Sequence, residues 1–251
     1  PYSDQNPIGY KDGAEAAARE QELVNEALAA VQTQVDAAYP GGELDVHGAL
    51  NGGGDGAVDA LTFVCMPEKT GSVAIHHSDL LWPHKTSGYS STTLGGKTVG
   101  DYNLLWAGDL LGTTGSSSTI THEFLHILGM PDLYRYSNSG DPVWYYDVMA
   151  NNGLLAPQSM LQYNIRNVMG FAPALAVLST PANNVTLHFA QYADKGEKTA
   201  LVLQSPFSEN EVFVVEAKRQ AGVDASIPHL SVDVGTTGGG LLALQGAKLR
   251  D

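Results

Sequence analysis

The segment Ser117–Asp132 has the sequence SSTITHEFLHILGMPD and carries the chemistry that organises the chain. His122 and His126 are four residues apart, so on an α-helix their imidazoles project from nearly the same face. That spacing suits two nitrogen ligands on one zinc ion. Glu123 follows His122 on the same side, where it can take a proton from a metal-bound water. The HExxH pattern therefore predicts a catalytic zinc site.

The residues around the histidines predict where this helix begins and ends. Hydroxyls between Ser117 and Thr121 offer an N-cap. The apolar side chains that would anchor the helix in a core are Phe124, Leu125, Ile127 and Leu128. Gly129 can take the left-handed conformation that ends a helix, and Pro131 prevents it from resuming. We therefore expect the chain to turn just after His126.

Asp132 is the predicted third zinc ligand, since a catalytic zinc usually has three protein ligands and one open position. The spacing HExxHxxGxxD places a carboxylate where the metzincin pattern has its last histidine. A thermolysin-like site would need a downstream glutamate, and none occurs between Glu123 and Glu197. The sequence therefore favours Asp132 over a glutamate ligand.

Two other aspartates are rivals for the third position. Asp141 precedes Pro142 in a loop of polar composition, which is poorly suited to fixing a ligand. Asp147 lies two residues before Met149, where a carboxylate more often supports the local turn by hydrogen bonds. Both stay open as alternatives to Asp132.

These residues resemble the immune inhibitor A family of secreted bacterial zinc metallopeptidases. Further segments similar to the family are Asp59–Val64, Leu81–Lys85, Pro131–Tyr134, Tyr146–Ala150 and Glu211–Pro228. The resemblance implies an α+β, zincin-type fold with an active-site helix, a Met-turn at Met149 beneath the metal and a β-rich C-terminal part. It also implies hydrolysis of peptide bonds in a protein or peptide substrate, and secretion from a bacterium.

The predicted reaction uses Glu123 as the general base, which passes the proton of the attacking water to the leaving amine. A tyrosine or histidine would help to hold the oxyanion, and the candidates are His84, Tyr145 and Tyr146. One alternative is an inactive binding module on a zincin scaffold, which the presence of Glu123 disfavours. Another is a zinc hydrolase with a non-protein substrate, because HExxH does not define the bond that is cleaved.

A second metal site is predicted in the glycine-rich stretch Asn51–Asp59, NGGGDGAVD. Asn51, Asp55 and Asp59 offer oxygen donors of the kind that calcium prefers. Gly53 replaces a ligand position, however, and no glutamate closes the loop. A weak calcium loop and an ordinary glycine-rich turn before a strand therefore both remain open.

Composition excludes some classes of function. The formal net charge of −14 disfavours nucleic acids and anionic membrane surfaces as partners. The single cysteine, Cys65, rules out a disulfide framework and is predicted to be a buried thiol. No apolar run is long enough to span a bilayer, and no signal peptide is visible. The chain starts at Pro1 rather than Met, which predicts a mature or trimmed fragment.

Hydrophobic spacing outlines the other elements. A long N-terminal helix is predicted from apolar residues recurring between Val24 and Ala38, and Pro40 ends it. A shorter helix is predicted over 157–169. The predicted strands and hairpin are 61–65 (buried), 73–77, 92–99 (the hairpin), 102–106, 185–189, 200–204, 211–217 and 240–244. We predict a catalytic domain over 1–177, followed over 178–251 by a β-rich subdomain or an extension of the same domain.

Overall fold

The computed structural model describes residues 13–41, 43–45, 54–65, 83–87, 92–107, 117–136, 143–151, 160–178, 186–187, 199–219, 221–225 and 239–248. Their contacts divide the chain into two compact units, residues 1–115 with 119–129, and residues 116–118 with 130–251. Helices and small sheets both occur, in agreement with a mixed α and β class. Among the described helices, none has the length and apolarity needed to cross a membrane.

Helix α1 of the first unit spans Gly13–Ala38, as its apolar spacing predicted. Val24 and Leu28 are 1% exposed and form a core cluster with residues such as Val99 and Tyr102. Leu23 packs separately against Leu104 and Trp106. The helix therefore contributes to two adjoining apolar clusters in this unit.

Three strands form the larger sheet of the first unit: β1, Thr62–Cys65; β2, His84–Thr86; and β5, Tyr102–Trp106. Their order in the sheet is β1-β5-β2. Central β5 is buried throughout, and it pairs parallel with β1 and antiparallel with β2. The prediction that β1 is a buried strand is wrong, because β1 lies at the edge of the described sheet: Thr62 and Val64 are exposed, and the other two residues are only partly buried. Cys65 is accordingly only half-buried.

The predicted hairpin is formed by β3, Thr93–Leu94, and β4, Lys97–Thr98. Its two-residue turn has φ of 56° at Gly95 and 75° at Gly96, a conformation that glycine adopts readily. The Asp36 carboxylate of α1 accepts a hydrogen bond from the Gly95 N–H at 2.7 Å. This contact joins the long helix to the hairpin.

Helix α2, Ser117–Ile127, is the predicted active-site helix. Its chain turns where the sequence predicted, because Gly129 has φ of 89° and donates to the carbonyl of His126 at 3.0 Å. Leu125 and Ile127 are buried, but Phe124 is 39% exposed, so its predicted anchoring role is wrong. Phe124 lies about 200° around the helix from His122, away from the buried face.

The second unit contains a four-stranded sheet made of β6, Val177–Leu178; β7, Ala200–Gln204; β8, Glu211–Arg219; and β9, Gly239–Lys248. The strands are adjacent in that order. Val202, Val212 and Val214 form an apolar cluster with Tyr163, which precedes the short π-helix Asn164–Val168. Two 3₁₀ turns, Trp144–Tyr146 and Gly222–Asp224, complete the described elements.

The remaining predictions have mixed outcomes. Strands at 200–204, 211–217 and 240–244 are confirmed. The helix predicted over 157–169 is helical only over 162–168 in its described part, and Thr186–Leu187 do not belong to a strand. The predicted strand at 73–77 lies outside the described residues, and the division at residue 178 stays a prediction.

Candidate metal centre

The buried face of α2 carries its polar residues. Ser118, His122 and Glu123 are 1%, 4% and 5% exposed, and His126 is partly buried. Thr121, one residue before His122, is exposed. Because burying polar groups costs free energy unless they are satisfied, this arrangement is unusual for a helix that serves only packing. It is typical of a helix whose inner face binds a ligand.

The two imidazoles converge on one point. Their Nε2 atoms lie 3.2 Å apart, and the rings are nearly perpendicular with centroids 4.7 Å apart. Two nitrogens bound to one tetrahedral zinc would be separated by about 3.3 Å, given Zn–N bonds of about 2.0–2.1 Å. His122, His126 and Asp132 form a group whose ligand atoms all lie within 4.8 Å of one another. This donor set fits a zinc ion with room for a further ligand.

Tyr136 contacts the carboxylate of this group, and the sequence analysis did not foresee it. Its hydroxyl donates a hydrogen bond to Oδ2 of Asp132. That bond, followed by desolvation and the negative charge of Asp132, raises the pKa of Tyr136 to about 12, although the side chain as a whole is 80% exposed. Tyr136 is therefore a neutral donor at neutral pH. Outer hydrogen bonds of this kind orient the carboxylates that bind metals.

The Met-turn, defined here as Tyr146–Ala150, is buried throughout. Asp147 accepts hydrogen bonds from the N–H of Met149 and of Leu161 and from the Asn164 amide, each at 2.8 Å. The prediction that Asp147 supports the turn is therefore confirmed. The other rival ligand, Asp141, lies outside the described residues.

Two backbone features set the position of the Met-turn. Trp144, just before it, has φ of 47°, which is an uncommon conformation for a residue other than glycine. The carbonyl of Met149 accepts a hydrogen bond from the N–H of Leu133 at 2.9 Å. Since Leu133 directly follows Asp132, the Met-turn fixes the backbone beside the candidate ligand.

The second unit contains a buried charge cluster, defined as Asp147, Glu216, Lys218 and Asp224. Asp147 also belongs to the Met-turn. The exposed fractions of these residues are 0%, 0%, 5% and 2%, respectively. Lys218 Nζ donates to the Tyr146 carbonyl at 2.7 Å. Burial raises the pKa of Glu216 to about 7, although the charge of Lys218 and the Gln162 N–H both act to lower it. Burial also raises the pKa of Asp147.

The predicted oxyanion contacts lie in two places. Tyr145 and buried Tyr146 belong to the 3₁₀ turn before Asp147. His84 lies on β2, where its Nε2 is 3.0 Å from a carboxylate oxygen of Glu20 on α1. Tyr102 also donates to that oxygen. The structure thus gives His84 a polar contact with Glu20, and the roles of all three candidates stay predictions.

The glycine-rich loop is organised by Asp45, which the sequence analysis did not select. Its carboxylate accepts bonds from the N–H groups of Gly54 and Gly56 at 2.6 and 3.1 Å, and from Lys97 Nζ at 2.8 Å. Bonding to Lys97 and to these amides lowers the pKa of Asp45 to about 2. Asp55 accepts a bond from the N–H of Ala57, in a local turn.

The calcium prediction is not supported by this arrangement. Asp55 is exposed and Asp59 is buried, while Asn51 lies outside the described residues. No second group of metal-binding side chains occurs in the part of the chain that the structure describes. Calcium binding at Asn51, Asp55 and Asp59 therefore stays a prediction.

Two of the residues that sequence reasoning missed, Glu216 and Lys218, left a usable signal. Glu216 and Lys218 alternate with the apolar residues of β8, on the same side as Val212 and Val214. A buried charge was therefore readable from the period of the strand. Asp45 offered no such signal, because its partners depend on the path of a loop.

Comparison with known families assigns the class of protein that this site and fold suggest. The family described as immune inhibitor A peptidase M6, catalytic domain, matches residues 3–158. The chain belongs to this family of peptidases, so the resemblance seen in the sequence is confirmed. Membership disfavours an inactive binding module and a non-protein substrate. No curated protein matches the chain at a significant level.

Proposed function

We propose that the chain is a secreted zinc-dependent endopeptidase in which His122, His126 and Asp132 bind the metal and Glu123 is the general base. The observation that carries this proposal is the 3.2 Å separation of the two histidine Nε2 atoms within a group that includes Asp132. Membership of the M6 peptidase family supports a peptide bond as the bond that is cleaved. The family resemblance supports secretion.

A bound zinc ion supplies Lewis-acid polarisation of the substrate carbonyl and lowers the pKa of water toward neutrality. Glu123 accepts a proton from the attacking water and returns it to the leaving amine. Glu123 is 5% exposed, so its charge is screened less by water than that of a surface carboxylate. Tyr136 holds Oδ2 of Asp132 through its hydroxyl and so orients that carboxylate.

The test is casein turnover with and without 1,10-phenanthroline. We expect the chelator to reduce turnover to background and added zinc to restore it, because the free ligand set cannot activate water by itself. Calcium or magnesium at the same concentration should not restore activity, since imidazole ligands favour zinc. Turnover that persists after chelation and metal removal would contradict the proposal.

A further inference from the structure

Strand β8 changes character along one face. Val212 and Val214 pack beside Tyr163 in the apolar cluster of the second unit. The next two residues on that face, Glu216 and Lys218, are charged and equally buried. Since a buried charge is costly unless it is paired and hydrogen-bonded, this end of the strand needs specific partners.

The partners of Lys218 are backbone atoms near the Met-turn. Its Nζ donates to the carbonyl of Tyr146 at 2.7 Å and to that of Met160 at 3.3 Å. In the described part of the chain, no other lysine or arginine is buried. The charge of Lys218 acts on two acids of the buried charge cluster, Asp147 and Glu216, and lowers the pKa of each against the effect of burial. Lys218 therefore joins two backbone segments that Asp147 also bridges.

Hydrogen bonds lead from Lys218 to the candidate ligand. Lys218 holds the carbonyl of Tyr146, the first residue of the Met-turn. The adjacent Asp147 carboxylate accepts the N–H of Met149 at 2.8 Å. The Met149 carbonyl in turn accepts the N–H of Leu133 at 2.9 Å. Leu133 directly follows Asp132 in the chain, so the position of the Met-turn determines the backbone position of Asp132.

We propose that Lys218 is a positioning residue for the metal centre, which acts by holding the Met-turn in the place that fixes Asp132. Lys218 lies beyond residues 3–158, the part of the chain that the peptidase family matches. The β-rich C-terminal part thus contributes to the site as an extension of the catalytic domain. The effect on zinc rests on the proposed function, whereas the effect on the Met-turn does not.

The first experiment separates positioning from stability. Lys218→Met alone would leave buried acids without their cation and could unfold the protein. The double variant Lys218→Met with Glu216→Gln removes the ammonium group together with one of the buried carboxyl groups that face it, so fewer buried acids lose their cation than in Lys218→Met alone. We expect it to stay folded, to bind zinc about 10-fold more weakly, and to exchange the amide hydrogens of residues 144–151 faster.

Two matched controls belong in the same experiment. Glu216→Gln alone keeps the bond from Lys218 to Tyr146, so it should leave zinc affinity and amide exchange near wild type. Val202→Ala opens a cavity in the apolar cluster beside β8, so it should lower the melting temperature. It touches none of the bonds that lead to Asp132 and should bind zinc normally. Loss of stability alone is therefore distinguished from loss of positioning.

The outcomes decide between the two proposals. Weaker zinc binding and faster exchange at 144–151 in the double variant, with both controls normal, would support the role of Lys218. Wild-type exchange and wild-type zinc affinity in the double variant would overturn it. If the wild-type protein itself showed no zinc-dependent turnover, the proposed function would fail. The exchange comparison would then still decide whether Lys218 holds the Met-turn.

Discussion

Asp132 and Asp45 are two carboxylates beside glycine-containing turns, and their surroundings are opposite. Asp132 lies in a group with the imidazoles of His122 and His126, and the ligand atoms are within 4.8 Å. Asp45 meets the ammonium group of Lys97 at 2.8 Å and two backbone amides. One carboxylate is grouped with two imidazoles, while the other already has a cation from the chain.

Asp45 was not one of the predicted calcium ligands, Asn51, Asp55 and Asp59, but its bonds to Lys97 and to Gly56 place a cation of the chain beside the loop that holds Asp55. A carboxylate paired with lysine gains little from a further cation, because the cation must first displace the ammonium group. Two imidazoles at tetrahedral spacing repel no cation when neutral and are the ligands that zinc prefers. The decisive feature is therefore the charge that surrounds the oxygen donors, in addition to their number.

The largest expected effect is on casein turnover, and it distinguishes loss of the general base Glu123 from loss of zinc binding. Glu123→Gln keeps the size of the side chain but removes the base, so casein turnover should fall by about 10²- to 10⁴-fold. Zinc content, measured on the purified variant, should stay near wild type because Glu123 is not a proposed ligand. Equal turnover in variant and wild type would remove Glu123 from the mechanism.

The next effect tests whether Asp132 is the third ligand. Asp132→Ala should weaken zinc binding at least about 100-fold in a chelator competition, as severely as His126→Ala, since a direct ligand exceeds the 10- to 100-fold typical of outer contacts. Asp141→Ala is the matched control and should bind zinc normally. Tight, stoichiometric zinc in Asp132→Ala would show that another carboxylate is the ligand.

A smaller effect is expected from the hydroxyl that contacts Asp132. Tyr136→Phe removes this donor and leaves the ring, so zinc affinity should fall about 10-fold. Tyr39→Phe removes an exposed hydroxyl elsewhere and should leave the affinity unchanged. If the two variants bind zinc equally well, the contact between Tyr136 and Asp132 has no part in orienting the ligand.

The smallest effects concern Asp45, and they are expected in the melting temperature rather than in casein turnover. The pKa of Asp45 is lowered to about 2 from 3.8, so its charged form stabilises the fold above pH about 4. That contribution is lost as pH falls toward about 2. Asp45→Asn should therefore lower the melting temperature at pH 7 and flatten its decline in acid, whereas exposed Asp55→Asn should do neither.

Calcium provides the contrast with zinc in these proteins. Because Lys97 already neutralises Asp45, millimolar calcium should leave the melting temperature of wild type and of Asp55→Asn nearly unchanged. A calcium-dependent rise that Asp55→Asn abolishes would restore the calcium interpretation of the loop.

The sequence predicted the parts of the site that depend on short-range spacing. His122, Glu123 and His126 lie on one helix, and the turn at Gly129 follows from local backbone preference. Long-range partners were not readable in the same way. The contact of Asp45 with Lys97 spans 52 residues and that of Lys218 with Tyr146 spans 72, so no local pattern specifies them. The exposure of Phe124 was missed because a helix can be apolar on its outer side too.

The support of the Met-turn has a consequence for anyone who wishes to produce a minimal enzyme. The family match ends at residue 158, yet Leu161 and Asn164, two hydrogen-bond donors to the Asp147 carboxylate, lie past that point. Lys218, which binds the Tyr146 carbonyl, lies further still. A fragment cut at the family boundary would keep the HExxH helix but lose these donors. Expression boundaries for this peptidase should therefore include β8.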